Sequence, residues 1–151
     1  MSRFEQLRLN WLERFLDGLD RASLNRNGEP AHLATGRRGE RAAYFYLRRR
    51  GFIVTARGWR TSRARGDLDL VAWEKDVLCF IEVKTRTTRA IAPAEAAVDA
   101  DKKRMLRKMA HYHLRQLPTR DVPIRFDILS IYFEAGKSAD FELFRGAFGW
   151  E

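Results

Sequence analysis

The stretch 66–86 constrains the fold more than any other part of the chain. Its two apolar runs, separated by Glu74-Lys75-Asp76, predict a β-hairpin whose open end carries acids and a lysine. Because side chains alternate along a strand, a turn of two or four residues puts Asp69, Glu82 and Lys84 on one face. The other face is then apolar and is predicted to be the core face, with Leu68, Leu70, Ala72, Val77, Cys79, Ile81 and Val83.

The charged face of this hairpin has two interpretations, and Asp67 lies beside it in both. On a surface hairpin, Asp69 and Glu82 would pair with Lys84 and Arg86, and each such pair contributes under about 1 kcal/mol. On a half-buried sheet, two neighbouring carboxylates repel unless a cation joins them, which favours a metal site or a specific ion pair. A turn of odd length without a bulge would put the two acids on opposite faces.

Length and charge indicate one basic globular domain. The chain has 151 residues, 45% of them hydrophobic and 32% charged, which excludes a disordered polyelectrolyte. Its net charge of +9 predicts a polyanionic partner, and DNA, RNA, a ribosome or an anionic membrane would each satisfy that charge.

Cysteine content and hydropathy predict a cytoplasmic protein. Cys79 is the only cysteine, so the chain forms no internal disulfide, and its apolar neighbours make it a small core residue. No apolar run approaches the ~20 residues of a membrane span, and the N-terminus lacks the apolar segment of a signal peptide. We therefore expect no membrane partner.

The chain divides into three predicted parts: an N-terminal extension and linker over residues 1–34, a core over 35–135, and a tail or edge strand over 136–151. Apolar residues recur at helical spacing over residues 4–19 and predict an amphipathic helix. This helix would pack on the domain or form a homodimer with a second copy. A membrane-surface role is disfavoured because its polar face mixes both charge signs.

A second helix is predicted from Thr35, which can cap it, to Gly51. Between Gly36 and Gly66 there are ten arginines and a single acid, Glu40, an excess that favours phosphate contact over a merely solvated surface. Glu40 itself has three readings: a salt-bridge hub, a partner of the helix dipole, or a third acid facing the hairpin.

The other predicted elements are a strand over 52–56, a basic loop over 57–65, a helix over 93–117 and a long central strand over 124–133. Trp59, in the basic loop, can stack on a base or plug the edge of the core. The three histidines lack the spacing of a zinc site, and Lys137-Ser138 lacks the glycine-rich loop of a phosphate-binding motif.

A metal-dependent phosphodiesterase uses an aspartate, a glutamate on the next strand, and a lysine two residues after that glutamate. Carboxylates bind Mg²⁺ or Mn²⁺ through hard oxygen atoms, and the metal polarises the phosphate and activates water. Lys84 could orient that water or stabilise charge on the phosphate oxygens.

Asp69 followed by Glu82-Val83-Lys84 resembles the Asp…Glu-x-Lys signature of the restriction-endonuclease-like superfamily. More closely, five ordered blocks resemble the YraN-type family: Gly39-Glu40, Gly66–Leu70, Phe80–Arg86, Lys102 or Lys103, and Arg125-Phe126-Asp127. This bacterial family is often described as endonucleases and is similar in fold to archaeal Holliday-junction resolvases. The resemblance covers about residues 35–133.

The resemblance implies an α/β fold with a central mixed β-sheet flanked by helices. It implies catalytic roles for Glu40, Asp69, Glu82 and Lys84, with a magnesium or manganese ion held by Asp69 and Glu82. Asp67 stands where the family usually has Glu, and the first 34 residues have no counterpart that we can match.

These observations predict a metal-dependent endonuclease acting on DNA, with branched DNA preferred. The competing classes are a DNA- or RNA-binding module that keeps the fold without turnover, and an RNA- or ribosome-associated factor. The predicted nucleic-acid-binding residues are Arg37, Arg38, Arg41, Arg60, Arg63, Arg65, Arg86, Lys102 and Lys103.

Overall fold

A computed structural model describes Leu12 and residues 31–88, 98–118 and 121–151. The predicted amphipathic helix over 4–19 and the linker after it lie outside the described residues, apart from Leu12, as does Pro93. The described elements are α1 (Ala31–Arg49), β1 (Ile53–Thr61), β2 (Ala64–Glu74), β3 (Val77–Arg86), α2 (Ala100–Leu114), β4 (Ile124–Tyr132) and β5 (Asp140–Phe148).

The five strands form one mixed sheet in the order β1-β2-β3-β4-β5. The β3–β4 pair is parallel and the other three pairs are antiparallel. The predicted α/β class, with a mixed sheet flanked by helices, is confirmed and is consistent with a restriction-endonuclease-like fold. No described helix is long and apolar enough to cross a membrane.

Both faces of the sheet are buried, and one of them is the core face predicted for the hairpin. Helix α1 packs on the face that carries Leu70, Ala72, Cys79 and Ile81. Helix α2 covers the other face, whose buried residues include Val71, Leu78 and Phe80. Leu68 also joins this second cluster and not the predicted one. Because a helix shields each face, the central strands are apolar on both sides.

The starts of both described helices differ from the sequence prediction. Helix α1 begins at Ala31, directly after Pro30 and four residues before the predicted cap, so the backbone at His32 is helical and not a loop. Helix α2 begins at Ala100, because the Asp99 side chain caps it by accepting a hydrogen bond from the Lys102 N–H at 2.8 Å.

The predicted basic loop over 57–65 is wrong. Residues 57–61 continue β1, and only Ser62-Arg63 form the turn into β2. β1 is an edge strand, where exposed arginines are tolerated and protect the edge from pairing with other chains. Gly58 has a φ of +52°, and the pairing of β1 with β2 contains two register shifts. A strand with such irregularities can resemble a loop in sequence.

Candidate functional site

The β2–β3 hairpin turn has two residues, Lys75 and Asp76, so the parity condition for a shared acidic face is met. The ladder runs from Glu74 opposite Val77 to Leu70 opposite Ile81. One further step in the same register puts Asp69 across from Glu82, just beyond the last paired residues.

Asp69 lies where the ladder between β2 and β3 ends. Its Oδ2 accepts a hydrogen bond from the Val83 N–H at 2.7 Å, so a carboxylate satisfies a backbone donor of β3. Burial, and then the charge of Glu82, raises the pKa of Asp69 to about 7. Near neutral pH both the protonated and the ionised form of this carboxyl group are therefore populated.

Glu82 is a buried carboxylate, with 3% of its surface exposed. Its Oε1 contacts two ammonium groups, Lys84 Nζ at 2.9 Å and Lys102 Nζ at 3.0 Å. Its Oε2 is also buried and has no hydrogen-bond partner among the described residues. One oxygen atom is thus neutralised twice, while the other retains an unused acceptor capacity.

Glu40 projects from α1 into the same pocket as Asp69 and Glu82. Its pKa is raised by burial, then by the charge of Asp67, and less by that of Glu82. Asp67 is paired with Arg60, whose Nη2 lies 3.0 Å from Oδ2. Of the three readings of Glu40, the structure favours the third acid, since it faces the hairpin acids across the pocket.

The pocket has a volume of about 670 Å³ and lies between α1 and the end of β3. Predicted residues that line it are Glu40, Asp69, Glu82, Lys84 and Arg86. Thr35, predicted only as a helix cap, also lines the pocket, as do Gly36, Thr85 and Thr87, to which sequence reasoning gave no role in the site. The run of threonines after Glu82-Val83-Lys84 was the signal available for Thr85 and Thr87.

Close packing of α1 on β3 depends on Gly39. A Cβ atom built there would lie 1.9 Å from Thr85 Oγ1, so a larger residue would push α1 from the strand. Gly36, one turn earlier, has no atom within 4 Å of an added Cβ and opens directly onto the pocket. The two glycines therefore have different surroundings: Gly39 is packed against β3, and Gly36 is open to the pocket.

The predicted basic residues separate into two groups. Lys102 contacts Glu82 and Arg86 lines the pocket. Arg38 instead places its guanidinium 4.0 Å from the centre of the Phe133 ring, and Lys103 places its ammonium 5.7 Å from that of Phe148. These two contacts are cation–π packing outside the pocket lining.

The remaining predicted basic residues lie around the hairpin and on α1. Arg63 and Arg65 are exposed at the turn between β1 and β2, and Arg60 pairs with Asp67. On α1, Arg37 is exposed and Arg41 is half-buried. Their roles in binding nucleic acid stay predictions.

Trp59 plugs the edge of the core. It packs on the cluster under α2, and its ring meets the His113 ring edge-on with centroids 5.1 Å apart. Burial lowers the pKa of His113, so the neutral imidazole is favoured in this position. The structure thus supports the packing alternative over base stacking for this tryptophan.

A second charged cluster lies at the opposite end of the sheet and has a structural character. Arg125 contacts Glu74 at 2.6 Å and the fully buried Asp127 at 2.7 Å. Arg145 contacts Glu74 at 2.7 Å, and the Gly146 N–H donates to Asp127 at 2.9 Å. The hydrogen bond from Arg145 is the main reason that the pKa of Glu74 falls to about 2.

The donor set of Asp69 and Glu82 fits a hard divalent cation. Such an ion would give the unpartnered Oε2 of Glu82 a partner. It would also offset the repulsion between the two neighbouring carboxylates. In the described part of the chain, however, no group of three His, Cys, Asp or Glu side chains is already arranged around one point for a metal.

Comparison with known proteins gives one family. A model described as "Uncharacterised protein family UPF0102" matches residues 39–131. A UPF0102 protein of Koribacter versatilis is 47% identical over 137 residues, covering 91% of this chain and 90% of the relative. Relatives in Solibacter usitatus (43% identical, 75% of this chain and 84% of the relative) and Porphyromonas gingivalis (38%, 71% and 77%) carry the same family name. The chain therefore belongs to the UPF0102 family, which is the YraN-type family whose motifs it carries.

Proposed function

We propose that this UPF0102 protein binds nucleic acid and is a metal-dependent endonuclease that hydrolyses phosphodiester bonds in DNA, with branched DNA preferred. The observation that carries the proposal is the convergence of Asp69, Glu82 and Lys84 in one pocket, where a buried carboxylate retains an unpartnered oxygen. Such an arrangement costs stability, and costs of this kind concentrate at functional sites.

Asp69 and Glu82 would hold Mg²⁺ or Mn²⁺, which when bound would polarise the phosphate and lower the pKa of a coordinated water. Lys84 would orient the attacking water or stabilise charge on the phosphate oxygens, since its ammonium already lies at Glu82. Glu40, with its raised pKa, can hold or accept a proton at the pocket wall.

The basic character of the chain supports a polyanionic substrate. With a net charge of +9, the protein attracts phosphate backbones over several ångströms beyond contact, and this attraction weakens with salt. Residues Arg60, Arg63 and Arg65 would contribute from the β1–β2 hairpin, and Arg86 from the pocket. Base-specific reading is not required for this kind of binding.

A non-catalytic DNA- or RNA-binding module is the second candidate, and one observation favours it. Lys84 and Lys102 already neutralise Oε1 of Glu82, so the site is electrically stable without a metal. If Lys84 and Lys102 stay paired with Glu82, the protein would bind a nucleic-acid backbone without cleaving it.

A cleavage assay separates the two candidates. Purified protein is incubated with labelled linear, flap and four-way-junction DNA and with RNA, each in Mg²⁺, Mn²⁺ or EDTA. The test variants are Asp69→Asn and Lys84→Ala. Asp76→Asn, a charge-matched change at the exposed turn at the other end of the hairpin, is the control.

The proposal requires cutting that depends on metal, is lost in both test variants and persists in the control. Binding that is salt-sensitive and equal in all four proteins, with no cutting of any substrate, would sink the endonuclease and leave the binding module. RNA cut in preference to every DNA would redirect the substrate class.

A further inference from the structure

The end of the pocket around Arg86 contains a cation without an anionic partner. Its side chain is half-buried, and its Nε is shielded from solvent without a hydrogen-bond partner. No ion pair or side-chain hydrogen bond links Arg86 to another residue in the described part of the chain. A shielded guanidinium donor without an acceptor is uncommon, because the desolvation it has undergone is not compensated.

The position of Arg86 on β3 relates it to the acidic end of the pocket. Glu82, Lys84 and Arg86 alternate along one face of the strand, opposite Ile128, Ser130 and Tyr132 of β4 in the parallel register. Alternate residues of a strand are about 7 Å apart. This step is similar to the length of one nucleotide along an extended backbone.

The neighbouring side chains suit the same ligand. Thr87 follows Arg86 directly in the pocket lining and carries a hydroxyl group, while the acids lie toward the other end. Thr85 also lines the pocket, but its side chain packs against Gly39 of α1. An arginine beside a hydroxyl group suits phosphate oxygens, because the planar guanidinium can engage two of them at once.

We propose that Arg86, with Thr87, forms a subsite for the phosphate one nucleotide away from the phosphate held at Glu82 and Lys84. This inference rests on the proposed function, because that function places the neighbouring phosphate at Glu82 and Lys84. It specifies the substrate class: an internal phosphodiester of a polynucleotide strand that carries a neighbouring charged phosphate. A substrate with a single phosphate would occupy only half of the pocket.

Binding of short oligonucleotides in EDTA tests the subsite without hydrolysis. The ligands are a thymidine trinucleotide, which has two charged phosphates, and its two isomers in which one linkage is a neutral methylphosphonate. Affinities are measured by NMR titration of wild type, Arg86→Gln and Arg86→Lys. The control is Arg115→Gln, the same charge change at the exposed residue that follows α2.

For wild type and Arg115→Gln, we expect at least one neutral linkage to weaken binding roughly tenfold, as the loss of one charge-assisted contact would. In Arg86→Gln the charged and neutral ligands should bind within about twofold of each other. Arg86→Lys should be intermediate, because it keeps the charge and loses the planar donors. The Arg86 Nε–H signal, assigned by its absence in the variants, should shift on titration of wild type.

The subsite is refuted if the neutral linkage weakens Arg86→Gln as much as wild type, if wild type does not distinguish the ligands, or if the Nε–H signal does not move. Failure of catalysis looks different. Retained discrimination in EDTA with no cutting in any metal would remove the endonuclease and keep the subsite, whereas metal-dependent cutting without discrimination would do the reverse.

Discussion

The Asp69→Asn substitution is expected to stabilise the metal-free protein at neutral and alkaline pH. The carboxylate of Asp69 is half-buried beside Glu82, and its pKa of about 7 means that the fold favours the protonated form relative to the unfolded chain. Asparagine is close to the protonated acid in shape, and its side-chain oxygen can still accept the Val83 N–H bond, which is 2.7 Å long in the native chain. The substitution therefore removes the charge and retains the contact.

The sign of the pH dependence follows from proton binding. Between the ordinary pKa of 3.8 and about 7, the folded state binds more protons at Asp69 than the unfolded state, so the free energy of unfolding falls as pH rises through this window. A pKa shift of about three units, at about 1.4 kcal/mol per unit, sets an upper limit of about 4 kcal/mol on the cost of ionising Asp69 in the folded state. Because Glu82 and its lysines can adjust, we expect about 2–3 kcal/mol above pH 7 and nothing near pH 4.

Urea unfolding in EDTA at several pH values between 4 and 8 measures this difference, provided that the slope with denaturant is the same in both proteins. Two variants serve as comparisons. Glu82→Gln should have the opposite effect and destabilise by more than about 1 kcal/mol, because it leaves Lys84 and Lys102 without their anion. Asp76→Asn, at the exposed turn, should stay within about 0.5 kcal/mol of wild type.

Two results would refute the reasoning. An Asp69→Asn protein that is less stable than wild type at pH 8 would mean that the carboxylate is a net stabilising group in this fold. A stabilisation of equal size at pH 4 and pH 8 would mean that the gain arises from something other than the charge.

Three further predictions test packing, the second charged cluster and metal binding. Gly39→Ala should destabilise by about 1–3 kcal/mol through its clash with Thr85, whereas Gly36→Ala, with open space around it, should gain up to about 1 kcal/mol in thermal unfolding. Glu74→Gln should cost about 1–2 kcal/mol at pH 7 after solvent screening of its ion pairs. This loss should shrink as pH falls from 4.5 through about 2, because the Glu74 carboxylate stabilises the fold only while it is ionised. Acid unfolding curves of the two proteins measure the loss, and a loss that does not change with pH would contradict the prediction. Mg²⁺ at ten times its dissociation constant should raise the unfolding free energy of wild type by about 1.4 kcal/mol and leave Asp69→Asn almost unchanged in calorimetry; equal shifts would place the ion elsewhere.

Strand alternation predicted the central part of the site because it depends on one local quantity, the length of the hairpin turn. A two-residue turn brings Asp69, Glu82 and Lys84 into one pocket, although their catalytic and metal-binding roles stay predictions. The same reasoning placed the apolar face correctly except for Leu68, but alternation could not indicate that α2 covers the face with the acids. Leu68 packs under α2 near the irregular end of β1, where the alternation breaks down.

The contacts that sequence could not supply are those between distant elements. Lys102 reaches Glu82 because Asp99 sets the start of α2 and the helix crosses the sheet at that point. In the sequence it was one of five basic residues on a helix, which would either extend the basic surface or point back at the acids, and helical spacing alone did not select it from the five. Arg38 and Lys103 carried the same signal, and the structure packs them on aromatic rings. Charge predicts attraction to a backbone, but position within the fold decides which cation is available.

The two ends of the sheet show why the acids of β2 differ. At one end Glu74 is saturated: two arginines bond to it, its pKa is low, and its charge stabilises the fold at every pH above that value. At the other end Asp69 is unsaturated: its pKa is raised, its neighbour Glu82 has an oxygen without a partner, and the fold is weaker while both are charged. The ion pairs of Glu74 show that this sheet can hold a carboxylate between arginines at one end, and no such pairs form at Asp69 among the described residues. An end of the sheet that combines a raised carboxyl pKa with an unpartnered carboxylate oxygen, next to a basic pocket, is where the proposed metal and substrate would bind.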